Sequence, residues 1–226
     1  MNQRERHLRL VEMVLLYFAL PGALTLARLF LASFPVIPVL WIVALPVAFW
    51  LVRGNHCSSS RLLGLDTIAI RERELTRIVL QAIPAMILLV AVLRRIHPDW
   101  LLSLPRDKPL LWAFVLVAYP VLSVFPQGIL YRAFFKERYA ELFPNPVART
   151  LVAASCFSFC HIFFLNPWAL LLTFVGGILF YRTYERTGSL FLSSVEHSFY
   201  GDLVFTLGYG PFLYHGTLVM AAQALG

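Results

Sequence analysis

Charged residues are scarce in this sequence. They occupy 14% of its 226 positions, whereas a typical soluble domain carries about 25%. Apolar residues account for 59%, and the mean hydropathy is +0.74. So little charge, together with long apolar runs, excludes an ordinary soluble protein and indicates that lipid surrounds most of the chain. Nothing in the composition marks a boundary, so we expect one membrane domain over residues 1–226.

Cysteine is also scarce, and internal repeats and low-complexity segments are absent. Cys57, Cys156 and Cys160 provide no even-numbered disulfide framework, and the last two lie in an apolar run as small hydrophobic residues. The net charge of +7 does not indicate a nucleic-acid partner, because the basic residues lie between apolar runs and form no stripe. Basic loops beside membrane spans are expected from topology and from anionic headgroups, so the bilayer is the predicted partner.

Long apolar runs make up most of the sequence. A membrane span needs about 20 mostly apolar residues, and eight stretches meet that requirement. The predicted fold is therefore an all-α, polytopic membrane helix bundle of about eight transmembrane helices. No small-residue cleavage site follows the basic N-terminus, so we expect the first span to be retained. The predicted spans are 10–31, 34–53, 76–94, 109–135, 147–165, 167–185, 189–207 and 210–225.

The distribution of lysine and arginine predicts the orientation. With a cytoplasmic N-terminus, most of the basic residues fall in segments on the inside, as the positive-inside rule requires. An even number of spans then places both termini in the cytoplasm, and the expected location is a bacterial inner (cytoplasmic) membrane. The basic residues left in outside segments are Arg94, Arg95, Arg106 and Lys108.

Several polar residues lie inside the predicted spans, where an ionisable group costs about 2.5–3.5 kcal/mol on insertion scales. Spans four, five and seven carry them at comparable depths, so a bundle that joins these spans would collect them in one cavity. A single histidine in a span is as often a packing or hydrogen-bonding residue, and His215 is interpreted in that way. The predicted cluster consists of Gln127, Arg132, His161, Glu196, His197 and Asp202.

Three short motifs within these spans resemble a known family. Gln127-Gly128-Ile-Leu-Tyr-Arg132 stands where CPBP proteins, the CAAX-protease and bacteriocin-processing family, have Glu-Glu-x-x-x-Arg. Phe157-x-x-x-His161 matches the second motif of that family, and His197-x-x-x-Gly201 stands where its His-x-x-x-Asn or Asp belongs. The resemblance to these intramembrane proteases covers about residues 110–205.

The resemblance implies an intramembrane endopeptidase in which a glutamate and two histidines activate water and stabilise the oxyanion, with a proposed metal. Carried across, His161 and His197 would act on water or the oxyanion, and Arg132 would organise them. Gln127 stands in place of the catalytic glutamate, but an amide cannot accept a proton as a general base. Zinc is a possible cofactor on His161 and His197, but it would need a third protein ligand.

Gly128 removes a carboxylate four residues before Arg132, on the same helix face. An unpaired cation inside the membrane is costly. We therefore expect Glu196 or Asp202 to reach Arg132 or the two histidines, and to serve as a substitute base.

Three functions follow. The first is a CPBP-type endopeptidase that cleaves a membrane-embedded or lipid-anchored peptide or protein. The second is a pseudoprotease that binds or regulates such a protein without cutting it. The third is a haem protein with His161 and His197 as axial ligands. A transporter is not indicated, because paired broken spans and internal repeats are missing.

Overall fold

The computed structural model describes residues 1–28, 30, 35–54 and 68–213, and within these ranges it contains helices and no strand. Cys57, His215 and most of the predicted eighth span lie outside them. The long helices are α1 (Gln3–Ala27), α2 (Val36–Arg53), α3 (Ile68–Ile96), α4 (Pro109–Leu142), α5 (Pro146–Phe164), α6 (Pro167–Thr187) and α7 (Leu190–Leu207).

Five of these helices, α1 to α5, are long and apolar enough to cross a membrane, α3 from Arg71 onward. Their outer faces carry exposed side chains such as Phe49, Ile87 and Val117, which suit contact with lipid tails. The predicted all-α membrane bundle is thereby confirmed. Helices α6 and α7 occupy the predicted sixth and seventh spans but are not among those five. A single membrane domain over 1–226 stays a prediction.

Local sequence signals set several helix boundaries. The side chain of Asn145 accepts hydrogen bonds from the first backbone N–H groups of α5, and Asn166 does the same for α6. Each is followed by a proline, which suits the first position of a helix because it needs no hydrogen-bond acceptor there. Gly188, with φ of 68°, ends α6, and Ser189 caps α7.

Helices α1 and α4 contain wide π-helical turns. One lies at Leu15–Ala19 in α1, and two lie at Pro120–Val124 and Ile129–Phe134 in α4. Such turns are rare and often occur at functional sites. The last of them contains Arg132, so the conformation of α4 is irregular where it carries its charged side chain.

Ion pairs join the helices at one end of the bundle, which we call the ionic end. Arg138 near the end of α4 pairs with Glu12 near the start of α1, at 2.7 Å. Arg149 of α5 pairs with Glu185 of α6, and Glu74 of α3 accepts a hydrogen bond from Arg186 of α6. The starts of α1, α3 and α5 thus lie at the same end of the bundle as the ends of α4 and α6.

The opposite end, which we call the aromatic end, is held by ring contacts. His97 stacks on Trp100 at a centroid distance of 3.9 Å, and Phe212 packs against Trp100. The hydroxyl of Tyr209 donates to the carbonyl of Leu89 in α3.

Helices α5 and α6 pack closely against each other. A Cβ at Gly177 would lie 3.0 Å from the Cα of Ala154, so only a small residue permits this approach. Cys156 is fully buried there beside Tyr181 and Phe135, in the role expected for a small hydrophobic residue.

Candidate active site

Helices α4, α5 and α7 bring the sequence motifs together around the ring of Phe157. The centroid of this ring lies 4.9 Å from that of His161 and 5.4 Å from that of His197. Phe157 is 3% exposed and His197 is 4% exposed, whereas His161 is only partly buried. The two histidines on separate helices therefore share one neighbourhood.

Both ring nitrogens of His197 have partners. Arg132 Nη2 lies 2.6 Å from Nδ1, and the hydroxyl of Tyr119 lies 3.0 Å from Nε2. A guanidinium can only donate, so Nδ1 must be the acceptor. Nε2 then carries the proton of a neutral imidazole and donates it to the Tyr119 oxygen. In this arrangement His197 has no lone pair with which to accept a proton from water.

Arg132 is 2% exposed and lies among aromatic rings. Its guanidinium carbon is 5.3 Å from the ring centre of Phe180 and 6.0 Å from that of Phe157. Such contacts stabilise a cation, but only in part. Among the residues that the structure describes, no carboxylate forms an ion pair with Arg132, and its Nη1 has no hydrogen-bond partner.

Glu196 has a different partner from the one expected. Its carboxylate is fully buried, accepts a hydrogen bond from Thr183, and lies 3.3 Å from the Nη2 of Arg77. The expected pairing of Glu196 with Arg132 or a histidine is thus replaced by a pairing with α3 and α6. The sequence motifs did not indicate Arg77, which lies at the start of the predicted third span and belongs to no motif.

Asp202 does not form the expected pairing either. Its Oδ1 is buried without a hydrogen-bond partner, and within the described ranges no ion pair links it to Arg132 or to either histidine. No substitute carboxylate therefore stands in direct contact with the imidazoles.

Tyr119 is a second residue that the sequence analysis did not identify, and it contacts His197 directly. A Cβ at Gly201 would lie 2.3 Å from Cε1 and 2.6 Å from the hydroxyl of Tyr119, so the phenol fills the space that a side chain at this motif position would take. The available signal was a hydroxyl-bearing ring immediately before Pro120 in an apolar span.

The position that a side chain at residue 128 would take is also occupied by neighbouring side chains. A Cβ there would lie 2.9 Å from Arg132 Nη1, 2.9 Å from Leu190 Cδ1 and 3.2 Å from the Ser194 hydroxyl. Gln127 beside it is buried and its amide nitrogen donates to the Ser123 hydroxyl of the same helix at 2.7 Å, and not to an imidazole.

His161 is the histidine with an available lone pair. Its Nδ1 lies 2.8 Å from the carbonyl oxygen of Phe157 and therefore carries the proton. The Cys160 sulfur is 3.2 Å from the same nitrogen. Nε2 is then the acceptor, and no residue in the described part of the chain bonds to it. A neutral imidazole held in this tautomer is suited to accept a proton.

The donor set does not fit zinc. Both nitrogens of His197 have partners, and one partner is a cation at 2.6 Å, which opposes a metal ion. Over residues 1–28, 30, 35–54 and 68–213, no three His, Cys, Asp or Glu side chains are grouped to hold a metal. A haem would have to lie between the two imidazoles, where Phe157 packs against both, so the arrangement does not fit that group either.

Comparison with known proteins agrees with the motifs. Residues 109–201 match the family model of type II CAAX prenyl endopeptidase Rce1-like proteins. Searches of curated proteins and of solved structures each gave no match. The matched segment runs from the start of α4 to Gly201 in α7 and contains all three motifs. The resemblance is thus confirmed over residues 109–201, which are similar to the Rce1-like members of the CPBP family of intramembrane proteases.

Proposed function

We propose that this protein is an intramembrane endopeptidase of CPBP type that cleaves a membrane-embedded or lipid-anchored peptide or protein. One observation carries the proposal. Within the Rce1-like segment, His161 and His197 lie against the same ring, and His161 Nε2 is the imidazole nitrogen of this pair without a partner in the described chain.

In this proposal His161 acts as the general base. The Phe157 carbonyl holds its Nδ1–H, and Nε2 takes a proton from the water that attacks the scissile carbonyl. The same nitrogen then returns the proton to the leaving amine. A histidine thus performs the task for which the family uses a glutamate at the position of Gln127 or Gly128.

His197 stabilises the oxyanion in this scheme. The hydrogen bond from Arg132 withdraws electron density through Nδ1, which makes Nε2–H a stronger donor. A negatively charged oxygen of the tetrahedral intermediate would replace the Tyr119 oxygen as its acceptor.

The second candidate is a pseudoprotease that binds the same class of ligand without cutting it. The filled space at Gly128 favours it, together with the pairing of Glu196 with Arg77. Both candidates place the ligand beside His161 and His197, so a cleavage assay separates them.

The test uses protein reconstituted in vesicles with a lipid-anchored peptide. We expect His161→Asn to lower the rate of cleavage by about 10²-fold or more, the contribution of a positioned general base. His7→Asn, which changes an exposed residue of α1, is the control and should leave the rate unchanged. An inert wild type, with cleavage only by a Gly128→Glu variant, would establish the pseudoprotease instead.

We further propose that the ionic end faces the cytoplasm of a bacterial inner membrane. The basic residues of the inside segments in the sequence support this orientation.

A further inference from the structure

A cavity opens at the ionic end of the bundle, between the start of α1 and the connection from α4 to α5. Its volume is about 580 Å³. The residues that line it include Arg6 of α1, Glu141 and Leu142 of α4, Pro144 of the connection and Arg149 of α5. None of the motif residues lines it, so this cavity is separate from the candidate active site.

The length of α1 places the cavity at the level of lipid headgroups. This helix has 25 residues, which at 1.5 Å per residue make about 37 Å. The hydrocarbon core of a bilayer is about 30 Å thick, and its headgroup regions extend it to about 40–45 Å. A helix of this length that crosses the core has its ends among the headgroups, and Arg6 lies in the first turn of α1.

The carboxylates around the cavity already have basic partners. Glu141 lines the cavity and pairs with Arg9 at 3.6 Å, and Glu185 pairs with Arg149. Arg6 differs from these residues, because no ion pair between described residues includes it. The guanidinium of Arg6 is therefore the side-chain charge on the cavity wall that is not balanced within the described chain.

Arg149 adds hydrogen-bond donors from a second helix. Its Nε and Nη2 donate to Glu185, and its Nη1 donates to the carbonyl oxygen of Phe143. A guanidinium has five N–H groups, so two of them remain for a ligand. The side chain is only 17% exposed, which fixes it in the wall. Guanidinium groups form short, charge-assisted hydrogen bonds with phosphate oxygens.

We propose that this cavity binds the phosphate group of an anionic phospholipid. Arg6 supplies the counter-charge, Arg149 supplies further donors, and Leu142 and Pro144 form an apolar wall beside the glycerol part of the lipid. Inorganic phosphate has the same chemistry, but the depth of the cavity in the membrane favours a lipid headgroup. The proposal is independent of the function proposed above.

The experiment measures the melting temperature of the purified full chain in detergent with added lipid. Phosphatidylglycerol should raise it by about 2–4 °C, since a ligand that binds only the folded state stabilises it. Phosphatidylethanolamine should give a smaller shift, because its ammonium group already balances its phosphate. Inorganic phosphate, measured against sodium chloride at equal ionic strength, should give little or no shift.

Two variants of the same helix connect the response to the cavity. Arg6→Gln should lose the response to phosphatidylglycerol. Arg4→Gln removes the same charge at an exposed position two residues away that does not line the cavity, so this matched control should keep the response. Glu141→Gln should enlarge the response, since it removes a negative charge from the cavity wall.

Three results would overturn the proposal. Equal shifts with phosphatidylglycerol and phosphatidylethanolamine would show that the cavity does not select an anionic headgroup. A full response in Arg6→Gln would show that the lipid binds elsewhere. A shift in inorganic phosphate as large as that in phosphatidylglycerol would assign the cavity to a soluble phosphate compound instead of a lipid.

Discussion

Gly201 and Tyr119 fit each other closely, and their contact determines how His197 is held. The phenol lies where any larger residue at position 201 would project, and its oxygen accepts the Nε2–H of His197. The tautomer of His197 therefore depends on two contacts. Gly201 leaves room for the Tyr119 hydroxyl at Nε2, and the guanidinium of Arg132 donates to Nδ1.

We predict that Gly201→Ala destabilises the protein by about 1–3 kcal/mol, since the added methyl group would force the Tyr119 ring out of place. Gly22→Ala is the matched control, because no atom lies within 4 Å of the position that its Cβ would take. There we expect no loss of stability, or a small gain from the better helix propensity of alanine. Thermal unfolding in detergent measures both variants, and equal effects would contradict this account of the contact.

At the residue scale, the sequence motifs record positions but not contacts. The motifs identified His161, His197 and Arg132, and the structure brings all three to Phe157. The partners of Arg132 and Glu196 were not predictable, because an unpaired carboxylate in the sequence does not reveal which of several buried cations it will contact. Arg77 is 119 positions away from Glu196 along the chain.

At the scale of elements, a partly buried network of ion pairs and hydrogen bonds attaches α3 to α6 and α7. Arg77 donates to Glu74, Thr183 and Glu196, and Arg186 donates to Glu74 and Thr183. Farther along α3, Ile78 and Ala82 pack on the aromatic cluster that contains Phe157 and Phe180. The network thus holds α3 beside the two histidines, although α3 contributes no motif residue.

A double-mutant cycle of Arg77→Ala and Glu196→Ala should give a coupling energy of about 1–3 kcal/mol, because Glu196 is fully buried and shares a network with Arg77. The comparison pair is Arg106 and Asp107, whose side chains are 59% and 54% exposed. For that pair we expect no measurable coupling, since solvent screens it. Unfolding in denaturant measures both cycles, and a coupling as small for the buried pair would show that the network does not hold α3.

Helix boundaries were predictable where proline and asparagine mark them, as at the starts of α5 and α6. The three π-helical turns were not, because hydrophobic periodicity does not register a single extra residue in a span that is apolar on most sides.

On the scale of the whole molecule, the two ends of the bundle differ in chemistry. Ion pairs join α1, α3, α4, α5 and α6 at one end, whereas His97, Trp100 and Phe212 pack at the other. Composition alone predicted the all-α membrane bundle, since hydropathy reports directly on a span. The order in which the helices pack depends on side-chain contacts that hydropathy does not contain.

The orientation is tested by cysteine labelling in intact cells. We expect Asp107→Cys, at an exposed position near the aromatic end, to react with a membrane-impermeant maleimide. Gln3→Cys at the ionic end should react only after the cells are permeabilised. A Cys57→Ala background removes the native thiol that the sequence places in a polar connection. Labelling in the reverse pattern would show that the N-terminus lies outside.

The π-helical turn at Ile129–Phe134 makes α4 sensitive to the deletion of a single residue. Each residue of a regular helix advances the chain by about 100° around the axis. Deletion of one residue within 129–134 would restore an ordinary turn and rotate the following part of α4 by about that angle. Arg138 and Tyr139 would then turn away from Glu12, to which both now donate hydrogen bonds. A one-codon deletion at this place should therefore be more damaging than most single substitutions nearby, although the shortened helix would look more regular.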